Sequence, residues 1–157
     1  MRKRLITPTS ESIRNRGEGW LDVERAAVVE VTSEEEAFPV ESVFNSGEAR
    51  GWRAAQPGSQ TIRLVFDQPQ RLKHISLVFE ERETARTQEF VLRWSKDEGS
   101  SVREIVRQQW NFNPPDSVRE VEEYQADLSA VGVLELIITP NIGGGDARAS
   151  LKSLRLS

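Results

Sequence analysis

Cysteine is absent from this chain of 157 residues. That removes disulfides, thiolate nucleophiles and cysteine-built zinc sites together. Histidine occurs once, as His74, so a metal site on paired histidines is excluded and one imidazole remains as a candidate base. No Ser or Asp motif surrounds it, and His74 reads as a structural or exposed residue. No stretch approaches the ~20 apolar residues that a membrane helix needs. The basic start Met1-Arg2-Lys3-Arg4 is not followed by the apolar segment of a signal peptide, because Leu5 and Ile6 give way at once to Thr7, Pro8 and Thr9. These absences lead to the expectation of a cytoplasmic protein that does not insert into membranes. Carboxylates are plentiful enough for enzyme chemistry, but plentiful carboxylates are the ordinary solvated surface, and no catalysis is expected.

Charged residues make up 29% and apolar ones 37%, which places the chain among soluble globular proteins. Its length predicts one domain able to bury a substantial core. The net charge of −4 weighs mildly against a polyanionic partner over the whole surface. Residues 1–19 differ from the rest. They hold Arg2, Lys3, Arg4, Arg14 and Arg16 against Glu11 and Glu18, with Pro8, Gly17, Gly19 and no periodicity. This segment is expected to be a loosely docked basic tail, and 20–157 a single domain.

Apolar residues then alternate in short runs closed by turn residues, at 27–32, 61–66, 73–79, 88–94, 133–139 and 149–156. Ile62, Leu64 and Phe66 share one face, as do Ile75, Leu77 and Phe79, then Phe90, Leu92 and Trp94, then Leu134, Leu136 and Ile138. Side chains alternate across a strand, so this spacing gives each run a dry and a wet face, the pattern of a two-sheet sandwich. Runs 102–110 and 120–128 fit helical spacing about as well as strand spacing. If all eight are antiparallel strands, the longer connections, 33–60, 80–87, 111–117 and 140–148, gather at one end. The shorter ones, 67–72, 95–101 and 129–132, gather at the other as plain turns. Long loops at one end of a rigid scaffold are where a sandwich builds a binding site. These loops carry ten acidic side chains against five basic ones, which disfavours nucleic acid and suits a polyol, an amine or a protein surface.

The stretch Gly51-Trp52-Arg53-Ala54-Ala55-Gln56-Pro57-Gly58, continuing to Phe66, resembles the second-strand region of discoidin-type domains. These are also called coagulation factor V/VIII type C domains, of the galactose-binding-like superfamily. Phe90–Ser95 followed by Asp97-Glu98-Gly99 is similar to another stretch of that family, and the end 149–156 to its closing strand. The resemblance implies an all-β, eight-stranded antiparallel jelly-roll sandwich, non-catalytic, with ligand loops at one end. It also implies strands for the two ambiguous runs. Family members bind galactose-type sugars, other glycans, lipid head groups or proteins. Many hold a calcium ion, but Asn45 or Ser46 and Ser153 stand where carboxylates would ligate it, so neither metal nor other cofactor is expected. The segment Trp52-Arg53-Ala54-Ala55 is also similar to the N-terminal domain of a single-strand-break DNA repair scaffold.

Six loop residues are the candidates for ligand contact: Phe38, Arg53, Arg86, Asn111, Phe112 and Asn113. A ring stacks on the apolar face of a sugar while Asn and Arg hydrogen-bond its hydroxyls, which Phe112 between Asn111 and Asn113 would allow. The same segment also reads as a rigid Pro114-Pro115 turn with Phe112 folded onto the core. Trp52 is expected in the core, and Arg53 next to it pairs with loop glutamates or contacts ligand. Gly143-Gly144-Gly145-Asp146 lacks the Lys-Ser/Thr of a phosphate loop and reads as a turn. The expected function is carbohydrate binding through the long-loop end. The alternative is a protein-interaction or scaffold domain.

Overall fold

Eight strands form, though not the eight that the spacing marks out. In the computed structural model, which describes residues 19–44 and 50–157, these are β1 (Ala27–Val31), β2 (Trp52–Pro57), β3 (Gln60–Glu80), β4 (Arg86–Ser95), β5 (Arg103–Phe112), β6 (Arg119–Thr139), β7 (Arg148–Leu151) and β8 (Ser153–Leu156). The expected tail over 1–19, but for Gly19, lies outside the described residues, as do Asn45 and Ser46. Both ambiguous runs are strands, one as β5 and the other as the first part of β6.

Runs 61–66 and 73–79 are one strand, and so are 120–128 and 133–139. The turns expected at 67–72 and 129–132 are therefore corrected to bends. The chain does not reverse there, because residues on both sides of each bend pair with the same partner: Ile62 with Leu136, and Leu77 with Glu122. The register slips between Val65 and Gln70 and twice more before His74. Pro69 falls within that slipped stretch, where its missing N–H costs no ladder bond. Across from it, Gly132 passes so close to Lys96 that any Cβ would collide with the Lys96 carbonyl.

The bends make the sandwich. A straight strand of 21 residues would span about 70 Å. Yet Glu81, just past the end of β3, and Pro140, just past the end of β6, bond the same Arg86 side chain, while Ile138 pairs with Gln60 at the start of β3. The β3–β6 hairpin is thus folded over on itself. Its first layer is β1, the front of β3, the rear of β6, β4 and β5; its second is the rear of β3, the front of β6 and β8. Phe79 of the second layer stacks on Phe90 of the first at 5.1 Å. Around them Ile62, Leu64, Leu77, Leu92 and Leu136 are buried, each burial stabilising by ~1.5–3 kcal/mol. A single helical turn, α1 (Val23–Ala26), inserts Val23 at the edge of this core.

β2 lies inside the expected loop 33–60 and pairs with β7. Trp52 and Ala54 point inward, and the Trp52 indole donates to the Ser33 carbonyl at 2.9 Å. Gly51, just before this strand, has φ 82°, and a Cβ there would lie 2.7 Å from the Leu151 carbonyl oxygen. The outer face of the larger sheet carries a different arrangement. Glu30, Arg63, Glu135, Arg93 and Glu104 stand opposite one another on five successive strands, an alternating row of charge. Opposite charges at facing positions each add a few tenths to one kcal/mol.

Candidate functional site

Folding the hairpin over brings three of the four long loops together around a groove of about 700 Å³. One wall is the turn from Glu35 to Phe38, held to β2 by the Glu35 amide on the Arg53 carbonyl at 2.8 Å and the Arg53 amide on the Phe38 carbonyl at 3.2 Å. The second wall is Glu80–Arg86, and the third is Gly144–Arg148 with the β7–β8 corner at Lys152. Phe38 presents a partly exposed ring, with the Arg50 guanidinium over it at 5.8 Å.

The lining carries six basic side chains and four acidic ones. This corrects the acidic charge read for the loop end. A sum along the chain counts glutamates that point elsewhere: Glu34 caps the Val40 amide at 2.9 Å, and neither Glu36 nor Glu41 reaches the groove. Glu35 sits behind the groove wall and takes Arg53 Nε at 3.3 Å and Arg148 Nη1 at 2.8 Å, both on Oε2.

Of the six candidates, Phe38, Arg53 and Arg86 line the groove. Arg86 is not a mobile rim residue. Its side chain is 1% exposed, donating to Glu81 at 2.8 Å, to Gln88 at 3.2 Å and to the Pro140 carbonyl at 2.7 Å. Its guanidinium lies 4.9 Å over the Phe112 ring. Phe112 is buried, the folded-back arrangement, because it ends β5 beside Arg86 and packs against Trp110. Asn111 and Asn113 are exposed but outside the groove. Asn111 accepts from Thr87 at 2.7 Å, and Asn113 closes the turn to Ser117. Sequence reasoning missed Arg50, Arg148, Lys152 and Glu35. The signal available was Arg148 and Lys152 flanking the alternating segment Ala149-Ser150-Leu151, which marks a second short strand facing Trp52-Arg53.

Burial, and after it the neighbouring Glu122 carboxylate, push the Glu120 carboxyl up to about 9. It is a neutral acid at pH 7, accepting from Gln88 at 3.1 Å, and it joins Arg86 and the groove to the core through that amide. Among the described residues, no group of three or more His, Asp or Glu could hold a metal ion. Ser153, one position where a calcium carboxylate would stand, pairs with Val78 on β8. Nor is any helix of the described residues long and apolar enough to cross a membrane.

Comparison with known proteins places this architecture. The family model of the XRCC1 N terminal domain matches residues 21–125. The chain belongs to that family. No curated protein matches the sequence. Among solved structures, the third family 32 carbohydrate-binding module of a Clostridium perfringens family 31 glycoside hydrolase aligns with TM-score 0.63 at 16% identity, covering 89% of this chain and 95% of the other. The family 32 module of C. perfringens NanJ, solved in complex with galactose, aligns with TM-score 0.62 at 13% identity over 85% and 95%. Reduced XRCC1, solved bound to the DNA polymerase β catalytic domain, aligns with TM-score 0.59 at 13% identity over 85% and 95%. At such identities the structures establish the fold, a galactose-binding-like sandwich. The looser of the two resemblances in the sequence, to a repair-scaffold domain, is thus the one that the XRCC1 N-terminal family match supports. Of the groove, Phe38, Arg50, Arg53 and Arg86 lie within the matched segment of the XRCC1 N-terminal family, while Arg148 and Lys152 lie beyond it.

Proposed function

We propose that this protein is a non-catalytic binding module that holds carbohydrate in the loop-end groove. The observation that carries the reading is the groove itself, about 700 Å³ with the Phe38 ring beside interleaved guanidinium donors and carboxylate acceptors. That volume lies within the range of small-ligand sites, ~300–1,000 Å³. A saccharide offers hydroxyls that both donate and accept, and apolar C–H faces that lie against a ring. Such a ligand uses every kind of wall present. The family 32 modules share the fold and support the reading by analogy alone.

Calorimetric titration with a glycan panel tests it. Saturable binding is expected, lost in Phe38→Ala and weakened in Arg53→Ala, while Asp97→Ala at the opposite end of the sandwich leaves affinity unchanged. A glycan that binds both groove variants normally and fails to bind the Asp97 variant would put the site at the wrong end.

A second reading has its own support. Membership in the XRCC1 N-terminal family, with one relative solved on a polymerase domain, favours a protein-interaction scaffold. A scaffold would bind its partner equally well with and without Phe38 and Arg53, through a surface away from the groove.

A further inference from the structure

Resting on the carbohydrate reading, we propose that the groove selects acidic saccharides, whose rings carry a carboxylate, through the cluster Arg50, Arg53 and Arg148. Two of these guanidiniums converge on one oxygen of one carboxylate, Glu35 Oε2, at 3.3 and 2.8 Å. A guanidinium has five N–H donors in a planar fork suited to a carboxylate's two oxygens. Among the described residues, no other partner engages the remaining side-chain N–H groups of Arg53 and Arg148. Arg50 adds a third guanidinium, which among the described residues donates to the Ala37 carbonyl at 3.1 Å and lies over the Phe38 ring face. Two cations therefore share one internal carboxylate, and the third, Arg50, lies over the ring where a sugar would lie. A carboxylate on that sugar supplies the missing acceptor.

Two carboxylates of the groove lining limit how much negative charge the ligand carries. These are Glu83 and Asp146, exposed and with no ion pair among the described residues. A nucleic acid, with one charge per ~1.7 Å of duplex, cannot avoid them. A uronate-type sugar places one carboxylate at the arginines and offers hydroxyls, as donors, to Glu83 and Asp146. Glu35 is then the resident counter-charge that the ligand's carboxylate works against.

The test is a set of matched pairs, each an oligouronate or sialoside and its carboxyl-reduced form, titrated into the full chain. The acidic member should bind about tenfold more tightly, the worth of one charge-assisted pair. Arg53→Gln and Arg148→Gln should remove that preference, weakening the acidic member of each pair far more than the reduced member, so that the two bind alike. Glu35→Gln should tighten acidic ligands several-fold, a gain that no loss of folding imitates. Raising the salt concentration should weaken the acidic member alone, because these side chains are exposed and screened. Equal or tighter binding of the reduced members overturns the charge preference but leaves the carbohydrate reading standing. So does a preference that survives the double substitution of Arg53 and Arg148. If no member of any pair binds, both fall. A single-stranded oligothymidylate that binds more tightly than every saccharide also overturns the proposal.

Discussion

Glu135 on the outer face of the larger sheet and Glu35 beside the groove are each gripped by a pair of arginines. Around Glu135 the pairing is saturated. Arg63 takes Oε2 through Nε at 2.7 Å and Nη2 at 2.6 Å, and Arg93 takes Oε1 through Nη2 at 2.6 Å and Nε at 3.1 Å. Arg63 turns a third nitrogen to Glu30. The Glu135 side chain is 7% exposed. Its strand positions face those of both arginines in register, so the sheet ladder sets the geometry. Around Glu35 the same composition is unsaturated. Both arginines crowd one oxygen, their side chains are 49% and 42% exposed, and the three residues come from a turn, β2 and the start of β7. The ladder builds a closed cluster that supports the sheet, whereas segments meeting at a groove leave donors open. Ion-pair counts would not separate the two; the acceptor oxygens do.

Arg86 gives the sharpest way to break this comparison, because it lines the groove yet belongs with the closed clusters. Arg86→Ala takes the charged partner from the Glu81 carboxylate and the Arg86 donor from the Gln88 and Pro140 carbonyls, and opens a hole against Phe112. Removing one partner of a buried pair costs about 3–5 kcal/mol. Urea unfolding should show a loss of that order, and a loss below about 1 kcal/mol would show that solvent reaches the site freely.

Glu120 sharpens the contrast from the other side, as a carboxyl that no arginine grips directly. Its folded pKa is raised to about 9 from an ordinary value of ~4.3, so the folded state keeps a proton that the unfolded chain loses. The resulting stability is fully present below the ordinary value and is lost as pH rises toward 9. The slope is at most about 1.4 kcal/mol per pH unit. Glu120→Gln, neutral at every pH, should flatten that decline between pH 6 and 9. A wild-type profile already flat over this window would show that Glu120 is ionised in the fold.

The sandwich is legible in the sequence because period-two spacing survives in every strand whose one face is dry, from Ile62-Leu64-Phe66 to Leu134-Leu136-Ile138. The bends at 67–72 and 129–132 are not legible as bends, because Asp67, Pro69 and Gly132 are the residues that turns also use. β2 escapes notice for a related reason. Ala54, Ala55 and Pro57 have little preference for strands, and it is tertiary contact that holds them extended: β7 at Trp52, Arg53 and Pro57, and the Ser33 hydroxyl, which accepts from the Ala55 amide. For the groove, chain position correctly singles out loops whose ends the folded hairpin brings together, but it cannot say which side chains face inward. Arg86 reads as a rim residue and is buried, and of the two readings left open for Phe112 the buried one holds. Arg148 reads as the end of a turn and is a wall. Charge summed by segment has the wrong sign at the groove because capping and outward-facing glutamates enter the sum.

A smaller effect is expected at Glu135. Burial alone would push this carboxyl up, but hydrogen bonds from Arg93 and Arg63 outweigh it and hold the group below the usual range. Its contribution is therefore present above the ordinary carboxyl value and is lost as pH falls through the lowered one. Glu135→Gln keeps the shape and removes the charge. The loss at pH 7 should be about 1–3 kcal/mol, and the acid limb of the stability profile should shift to lower pH in the variant. An unchanged acid limb would assign acid sensitivity to other groups, Glu81 foremost, which Arg86 and two backbone amides hold low despite its burial.

Arg53→Gln and Arg148→Gln should change stability least. Each removes one contact to an oxygen that the other still occupies, at side chains nearly half exposed, where ion pairs contribute about 0–1 kcal/mol. For a chain of this length that corresponds to a shift in Tm of at most about 4 °C. The closed cluster predicts the opposite: Arg93→Gln strips two of the three hydrogen bonds to a sealed carboxylate and should destabilise more than either groove variant. Thermal melts of the three variants side by side decide it. Should Arg53→Gln melt as low as Arg93→Gln, the groove arginines would be supports of the β2–β7 pair, and their open N–H groups would say nothing about a ligand.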